Sequence, residues 1–302
     1  MLKIMLTGAT GGIGSSILNR LLQEKIQIYA ISRNIHQNRD NLYWLQQDLN
    51  KPNWQQLKNI LQEVDIVIHN AAVIKNGLNF DEIKEILQVN ISFTETLFNE
   101  ACKNAKKVIF TSSIGIHRPL PPIIDETFVM SINPTLYHTS KFWGEEILQK
   151  LFTHSQISFY ILRVSSPIAE QFEQQQNNVV KKWIVNAFNK LPIEVWEPER
   201  TQNFVHSTDI AEAIWQIIQK EPERGIYNIA SSNSISMLAL AQLISEKIPT
   251  NLIIKDNQNQ QVDKWNISIK KAQNNFNYSP KYDSYSAVEK LIQVYISKFE
   301  NQ

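Results

Sequence analysis

Cysteine is nearly absent: Cys102 is the only one in 302 residues. That excludes an intrachain disulfide and a cysteine-built metal site, and no metal is expected. Cys102 closes the helical pattern Leu97-Phe98-Asn99-Glu100-Ala101-Cys102, which marks it as a small buried residue rather than a nucleophile. Net charge is also lacking. Thirty Lys and Arg against 29 Asp and Glu leave +1, with no basic patch to attract nucleic acid or an anionic membrane. No apolar run approaches the roughly 18 residues that span a bilayer. The chain enters an apolar strand at once, without a leader, so the cytoplasm is the expected compartment. Glycine is scarce, eight in all, yet four of the eight are Gly8, Gly11, Gly12 and Gly14. What remains is an ordinary globular composition, 43% hydrophobic and 20% charged, enough for one large α/β unit or two joined domains.

The clustered glycines follow the apolar run Leu2-Lys3-Ile4-Met5-Leu6, in Thr7-Gly8-Ala9-Thr10-Gly11-Gly12-Ile13-Gly14. This reads as strand, turn and helix start. Gly8 permits the tight turn, Gly11 lets backbone approach a pyrophosphate, and Gly14 lets the helix pack closely on the strand. Free N–H groups at the helix start then face an anionic ligand. The spacing is GxxGxxG rather than GxGxxG, and the pattern gains weight from its strand–turn–helix context.

Short Ile- and Val-rich runs continue at 26–31, 42–45, 64–69, 107–111 and 158–164. Such runs suit parallel strands buried on both faces. Helical patterns lie between them at 13–23, 54–62, 80–104 and 137–152. The alternation predicts an α/β fold, a right-handed, Rossmann-type doubly wound parallel sheet. After Pro167 the rhythm breaks: 170–178 is Gln-rich and reads as a mobile loop. Helices follow at 179–189 and 209–220, a strand at 225–229, then helices at 236–247 and 285–298. Residues 1–165, with 201–230 returning to them, are expected to form a dinucleotide-binding domain. Residues 166–200 and 231–302 are expected to form a smaller, mostly helical substrate domain.

Two further patterns carry chemistry. Tyr137-His138-Thr139-Ser140-Lys141 places a phenol and an ammonium on one helical face. An ammonium beside a phenol favours the phenolate and lowers its pKa, which suits general acid/base work. Read alone, the pair also fits an unremarkable surface helix. Thr111-Ser112-Ser113 ends a central strand where doubly wound folds bind ligands, although serines there also serve as caps.

Together these residues resemble the extended short-chain dehydrogenase/reductases, the NAD-dependent epimerase/dehydratase family. Thr7–Gly14 looks like that family's TGxxGxxG loop, and Asp48-Leu49 like its adenine-contacting pair. His69-Asn70-Ala71-Ala72 is similar to the segment passing the adenosine, and Asn90 matches the asparagine of the long fourth helix. Ser113, Tyr137 and Lys141 match the catalytic triad. The run from Arg200 to Asp209 resembles "RDFVHVDD", and Asn277-Tyr278-Ser279-Pro280 resembles "LGYxP". The resemblance implies that Gly8, Thr10, Gly11, Gly12, Ile13 and Gly14 cradle the cofactor. It adds Asp48, Leu49, Asn70, Ala71, Ala72, Asn90 and Pro167. Tyr137 would exchange the substrate proton, Lys141 would lower the tyrosine pKa and hold the nicotinamide ribose, and Ser113 would anchor the substrate oxygen.

An acid at the end of the second strand would bind the ribose 2′-OH and select NAD. Here Ile31-Ser32-Arg33-Asn34 offers none, so Ser32 and Arg33 favour NADP, with NAD possible. The family's dehydratases place an acidic pair after the catalytic hydroxyl. Ile114-Gly115-Ile116 stands here instead, which disfavours dehydration. A 4-epimerase or 4-keto reductase of a nucleotide sugar is the leading expectation. Ser166 replaces the family's usual asparagine and Gln202 its diphosphate-binding arginine. Ser112, His117, Ser166, Lys181 and Arg200 are the candidate substrate residues. An NADPH-dependent reductase of a non-nucleotide ketone or aldehyde is the alternative, and an idle NADP-binding regulator a third reading. His206 is expected to be structural, and Glu126 is either a substrate contact or a solvated carboxylate. A homodimer through the helix bearing Phe142 and Trp143 is expected.

Overall fold

The apolar runs pair edge to edge because each is too hydrophobic to face water on either side. A computed structural model describes residues 1–75, 79–116, 120–127, 135–153, 157–170, 179–255 and 262–299. In chain order it contains β1 (Lys3–Thr7), α1 (Gly12–Leu21), β2 (Gln27–Ser32), β3 (Leu42–Gln46), α2 (Trp54–Leu61) and β4 (Ile66–His69). Next come α3 (Phe80–Ile86), a π-helical segment (Leu87–Phe93), α4 (Thr94–Asn104), β5 (Lys107–Ser113), α5 (Leu136–Phe152) and β6 (Ser158–Val164). The rest is β7 (Ser166–Ile168), α6 (Val179–Phe188), β8 (Ile193–Trp196), β9 (Thr201–Gln202), β10 (Phe204–His206) and α7 (Ser207–Lys220). Finally come β11 (Gly225–Ile229), β12 (Ile235–Ser236), α8 (Met237–Lys247), β13 (Leu252–Lys255), α9 (Lys270–Phe276) and α10 (Ser284–Phe299).

Seven strands form one sheet in the order β3-β2-β1-β4-β5-β6-β11, with every pairing parallel. This is the expected doubly wound topology. Strand order reverses between β1 and β4, and the crevice beyond their carboxyl ends is the usual ligand position. Hydrophobic cores cover both faces: one gathers Ile4, Leu6, Ile17, Ile68 and Ile214, the other Met5, Val67, Leu97, Phe98 and Leu148. β11 lies beside β6, and α7 packs on α1 through a 2.7 Å Ser16–Ser207 hydroxyl contact and a 2.7 Å Arg20–Glu212 ion pair.

The helix expected over 80–104 is continuous but widens into a π turn at Leu87–Phe93. There the Thr94 hydroxyl donates to the Val89 carbonyl five residues back, at 3.4 Å. π turns inside α-helices recur at functional sites. The C-terminal portion has its own core, built on Trp183, Ile184, Phe204, Leu240, Ile292 and Tyr295. Besides the expected helices it contains three two-stranded pairs: β7 with β10, β8 with β13, and β9 with β12. Strands of two to four residues are too short to show a period of two. Among the described residues no helix is long and apolar enough to cross a membrane. Cys102 is half-buried, and burial pushes its thiol up to about 11, consistent with an inert side chain.

Gly144 sets how closely α5 approaches the sheet. A Cβ there would lie 2.7 Å from Phe110 Cζ on β5. Gly144→Val should therefore lower unfolding stability by about 1–3 kcal/mol through overpacking. Urea unfolding measures this, and an unchanged midpoint would show that Phe110 has room to turn aside.

Candidate active site

In the turn after β1, Gly8 and Gly14 take up the turn and close-packing positions expected of them. Gly8 has φ +68°, and a Cβ there would sit 2.8 Å from the Ala71 backbone. A Cβ on Gly14 would sit 1.9 Å from the Gly8 carbonyl oxygen, so α1 can begin only against a bare backbone. The Gly11 N–H donates to that carbonyl at 3.0 Å and closes the turn. α1 starts with no side-chain cap and no acid in its first turn. Its first N–H groups are thus left for a ligand, and a pyrophosphate is the group that such a donor set fits.

A buried relay joins this turn to β4. The backbone N–H groups of Asn70 and Ala71 both donate to Thr7 Oγ1 at 3.1 Å. The Thr7 hydroxyl therefore gives its own proton to His69 Nδ1, 2.8 Å away. That leaves His69 Nε2–H to donate to Thr94 Oγ1 at 2.8 Å, so His69 is the neutral Nε2–H tautomer. Full burial, aided by the charge of Lys141, holds its pKa well below the ordinary 6.5. Asn70 donates to the Gly8 carbonyl at 3.4 Å and accepts from the Thr111 hydroxyl at 3.1 Å.

Asn90 was expected to touch cofactor, and its side chain is placed otherwise. Its Oδ1 accepts from Val73 N–H at 2.7 Å, and its Nδ2 donates to Val73 O at 2.9 Å and Ser140 Oγ at 3.0 Å. Both amide hydrogens are used within the protein, and the side chain holds the strand-end loop. Asp48 is exposed just beyond β3 and accepts from Asn50 N–H at 3.0 Å, with Leu49 half-buried beside it. Ser32 is buried and contacts His36 Nε2 at 3.0 Å. Arg33 is exposed, and its side chain makes no hydrogen bond or ion pair among the described residues.

The chemistry-bearing groups meet where α5 crosses the end of β5. Lys141, 3% exposed, donates to the Thr111 carbonyl at 2.8 Å and lies 4.7 Å over the Phe110 ring. Tyr137 lies one turn earlier on the same helical face, and its hydroxyl has no hydrogen-bond partner among the described residues. Ser113 accepts from Gly115 N–H at 3.2 Å, and its own proton has no acceptor among the described residues. A Cβ on Gly115 would lie 2.2 Å from His138 Nε2, so any larger residue there would have to push the His138 ring aside. Ser112 was grouped with the substrate residues; strand alternation turns it the other way, into the core, where it donates to Glu145. Burial works against the expected depression of the phenol pKa. Desolvation pushes Tyr137 up to about 12 and Lys141 down to about 7, the latter partly opposed by Glu145.

Other candidates scatter. Ser166 accepts from the Gln202 amide at the β7–β9 side of the cleft, and Pro167 follows it, exposed. Lys181 is half-buried on α6. Arg200 turns toward Met237 Sδ, 3.8 Å away, and Glu197, at 3.6 Å. His206 caps α7, contacting Thr208 Oγ1 at 2.7 Å, as a structural residue would. Glu126 is not simply a solvated carboxylate: it is half-buried and accepts from Asn228 N–H at 2.9 Å. His117 lies outside the described residues. A cavity of about 550 Å³ between α1, α7 and Lys281-Tyr282 contains none of the triad. Sequence reasoning placed His69 only in a cofactor-lining segment and did not foresee its relay, and it missed Gly144, Glu145 and Arg163. The signal for the last was a charge inside an apolar strand, which needs a buried partner.

A family model, the NAD dependent epimerase/dehydratase family, matches residues 4–230. The chain belongs to that family. UDP-glucuronic acid decarboxylase 4 of Arabidopsis thaliana is 23% identical over 295 residues. The match covers 93% of this chain and 66% of that relative, so the chain spans just under two thirds of its length. UDP-glucose 4-epimerase of Thermotoga maritima, solved with UDP-glucose, superposes with a TM-score of 0.83 at 17% identity, covering 99% of this chain and 100% of that one. UDP-glucuronic acid 4-epimerase of Bacillus cereus, solved with NAD, gives 0.85 at 18% identity, covering 100% and 99%. As an epimerase/dehydratase family member, the chain pairs an intact Ser/Tyr/Lys set with the dinucleotide-type fold that the motifs implied.

His69 yields a pH dependence. Its folded pKa lies below its unfolded 6.5, so the unfolded chain binds the extra proton as pH falls. Stability is retained above pH 6.5 and lost below it, by up to about 1.4 kcal/mol per pH unit from this site. Denaturant unfolding from pH 8 to 5 should show that loss, and His69→Gln should flatten it. Identical pH profiles for both proteins would mean that His69 is accessible to protons when folded.

Proposed function

We propose that the chain is a nucleotide-sugar 4-epimerase that works by reversible oxidation at a hydroxyl-bearing carbon. The observation that carries this is the group set at the β5–α5 junction. Among the described residues the Ser113 proton and the Tyr137 hydroxyl are unclaimed, Lys141 brings a buried amine one turn from Tyr137, and no carboxylate follows Ser113. A dehydratase needs such an acid to remove a carbon-bound proton. The nicotinamide cofactor, when bound, supplies hydride uptake and return. This chain's residues do the rest. Ser113 donates to the substrate oxygen and orients it, Tyr137 takes and returns the hydroxyl proton, and Lys141 in its charged form stabilises the phenolate. Gly11, Gly12 and Ile13 would hold the pyrophosphate at the start of α1, and Asp48 the adenine end.

The test is incubation with UDP-glucose and UDP-glucuronic acid, the sugar configuration being read by proton NMR. Wild type should interconvert the 4-epimers of one of them. Tyr137→Phe should lower turnover by ~10²–10⁴ while sparing cofactor affinity. Full activity in Tyr137→Phe would remove the phenol from the mechanism.

A second reading is reduction of a non-nucleotide carbonyl. Gln202 binds Ser166 where a diphosphate-binding arginine was expected, and Arg200 turns toward Met237. Native mass spectrometry separates the readings, since a retained dinucleotide favours the epimerase. For the cofactor, we infer that Arg33 reads a 2′-phosphate, supported by its free, exposed guanidinium and the lack of an acid beside it. Arg33→Asp should weaken NADP binding at least about tenfold more than NAD binding, the loss of one charge-assisted contact. Equal loss for both, measured by calorimetry, would show that Arg33 does not read the phosphate. We also propose a homodimer through α5, where Trp143 is 50% exposed beside the half-buried Phe142.

A further inference from the structure

We propose that Glu145, clamped by Arg163, is a positioning residue that keeps the amine of Lys141 charged and seats it against the end of β5. This deepens the proposed role of Lys141 and rests on it. Glu145 sits one helical turn after Lys141, on the same face of α5, and is fully buried. Its carboxylate is held from two strands. Ser112 on β5 donates to it, and Arg163 on β6 donates through Nε at 3.2 and 3.1 Å and through Nη2 at 2.8 Å. Arg163, 3% exposed, also donates to the Glu126 carbonyl at 3.3 Å.

A buried ion pair costs desolvation and is weak evidence for stability, so its place needs another reason. The reason here is what lies beside it. Lys141 and Glu145 grip successive residues of β5, one the Thr111 carbonyl and the other the Ser112 hydroxyl. The next residue is Ser113. A helix bolted to the strand end at two points one turn apart cannot rotate, so Tyr137, one turn before Lys141, keeps its bearing on Ser113.

The electrostatics point the same way. Among the described residues, the charged or titratable groups around the amine are Tyr137 and Glu145 on α5, His69 on β4 and, behind Glu145, Arg163 on β6. β5 contributes only the Phe110 ring and the Thr111 carbonyl. Burial drives Lys141 toward its neutral form, and Glu145 is the negative charge that opposes this. A neutral amine gives no field to stabilise a phenolate. Arg163 fixes the carboxylate and shares its charge, which limits how strongly Lys141 is held.

The opposing signs of the two partners give the test. The protein is labelled with [¹³Cε]lysine, and the Lys141 signal is assigned by its loss in Lys141→Met. No substrate is needed, so failure here is distinct from failure of the epimerase reading. Glu145→Gln should lower the Lys141 titration midpoint by about one pH unit, tenfold in proton affinity. Arg163→Met should raise it. A purely structural role would loosen the site in both variants and move the midpoint the same way, and that result would overturn the proposal. Each single change leaves a buried charge without its partner. The paired Glu145→Gln, Arg163→Met protein avoids this and should show a lowered midpoint, because the nearer charge is lost. An unchanged midpoint in the folded paired variant would equally overturn the proposal.

Discussion

The close approach of the β1 and β4 strand ends is the constraint on which the site depends. It exists only because Gly8 and Gly14 have no side chains: Ala71 lies against the one, and the Gly8 carbonyl against the other. That contact brings the Thr7 hydroxyl under two N–H groups of the 70–71 loop, and so fixes the direction of its proton. His69 and Thr94 pass the same directionality to the helix on the far side. The start of α1 is left with unsatisfied donors at the point where the sheet order reverses, which makes an anionic ligand the natural occupant.

The same economy of buried polar groups organises the β5–α5 junction. α5 could have packed on the sheet with apolar residues alone. Instead Gly144 lets it come close enough for Lys141 and Glu145 to find partners on β5 and β6. Burial then acts on the two titratable members in opposite senses, raising the phenol of Tyr137 and lowering the amine of Lys141. A tyrosine so placed holds its proton firmly unless a charge beside it assists, and the neighbours of Lys141 decide whether that charge is present.

Parts of the site resisted reading because residue type does not fix direction. Ser112 and Ser113 are adjacent hydroxyls, and only the pleat of β5 sends one to Glu145 and leaves the other at the strand end. Asn90 was singled out by position along a helix, yet the π turn rotates it onto Val73 and Ser140. Glu126 is a charge whose hydrogen-bond partner, Asn228 N–H, lies about a hundred residues away, a separation that no local pattern encodes. By contrast, short apolar runs marked all seven strands of the sheet, most of them rich in Ile and Val, because burial on both faces leaves few residue types available.

The sequence by itself determined the parallel doubly wound sheet, the glycine turn and the Tyr–Lys pair. Each rests on local sterics or periodicity: a positive φ, a run of β-branched residues, an i,i+4 spacing. Only the tertiary structure decided which polar groups are spent on the protein and which remain for a ligand. That division depends on distances between segments far apart in the chain, and on desolvation, which a residue acquires only when the rest of the fold closes around it.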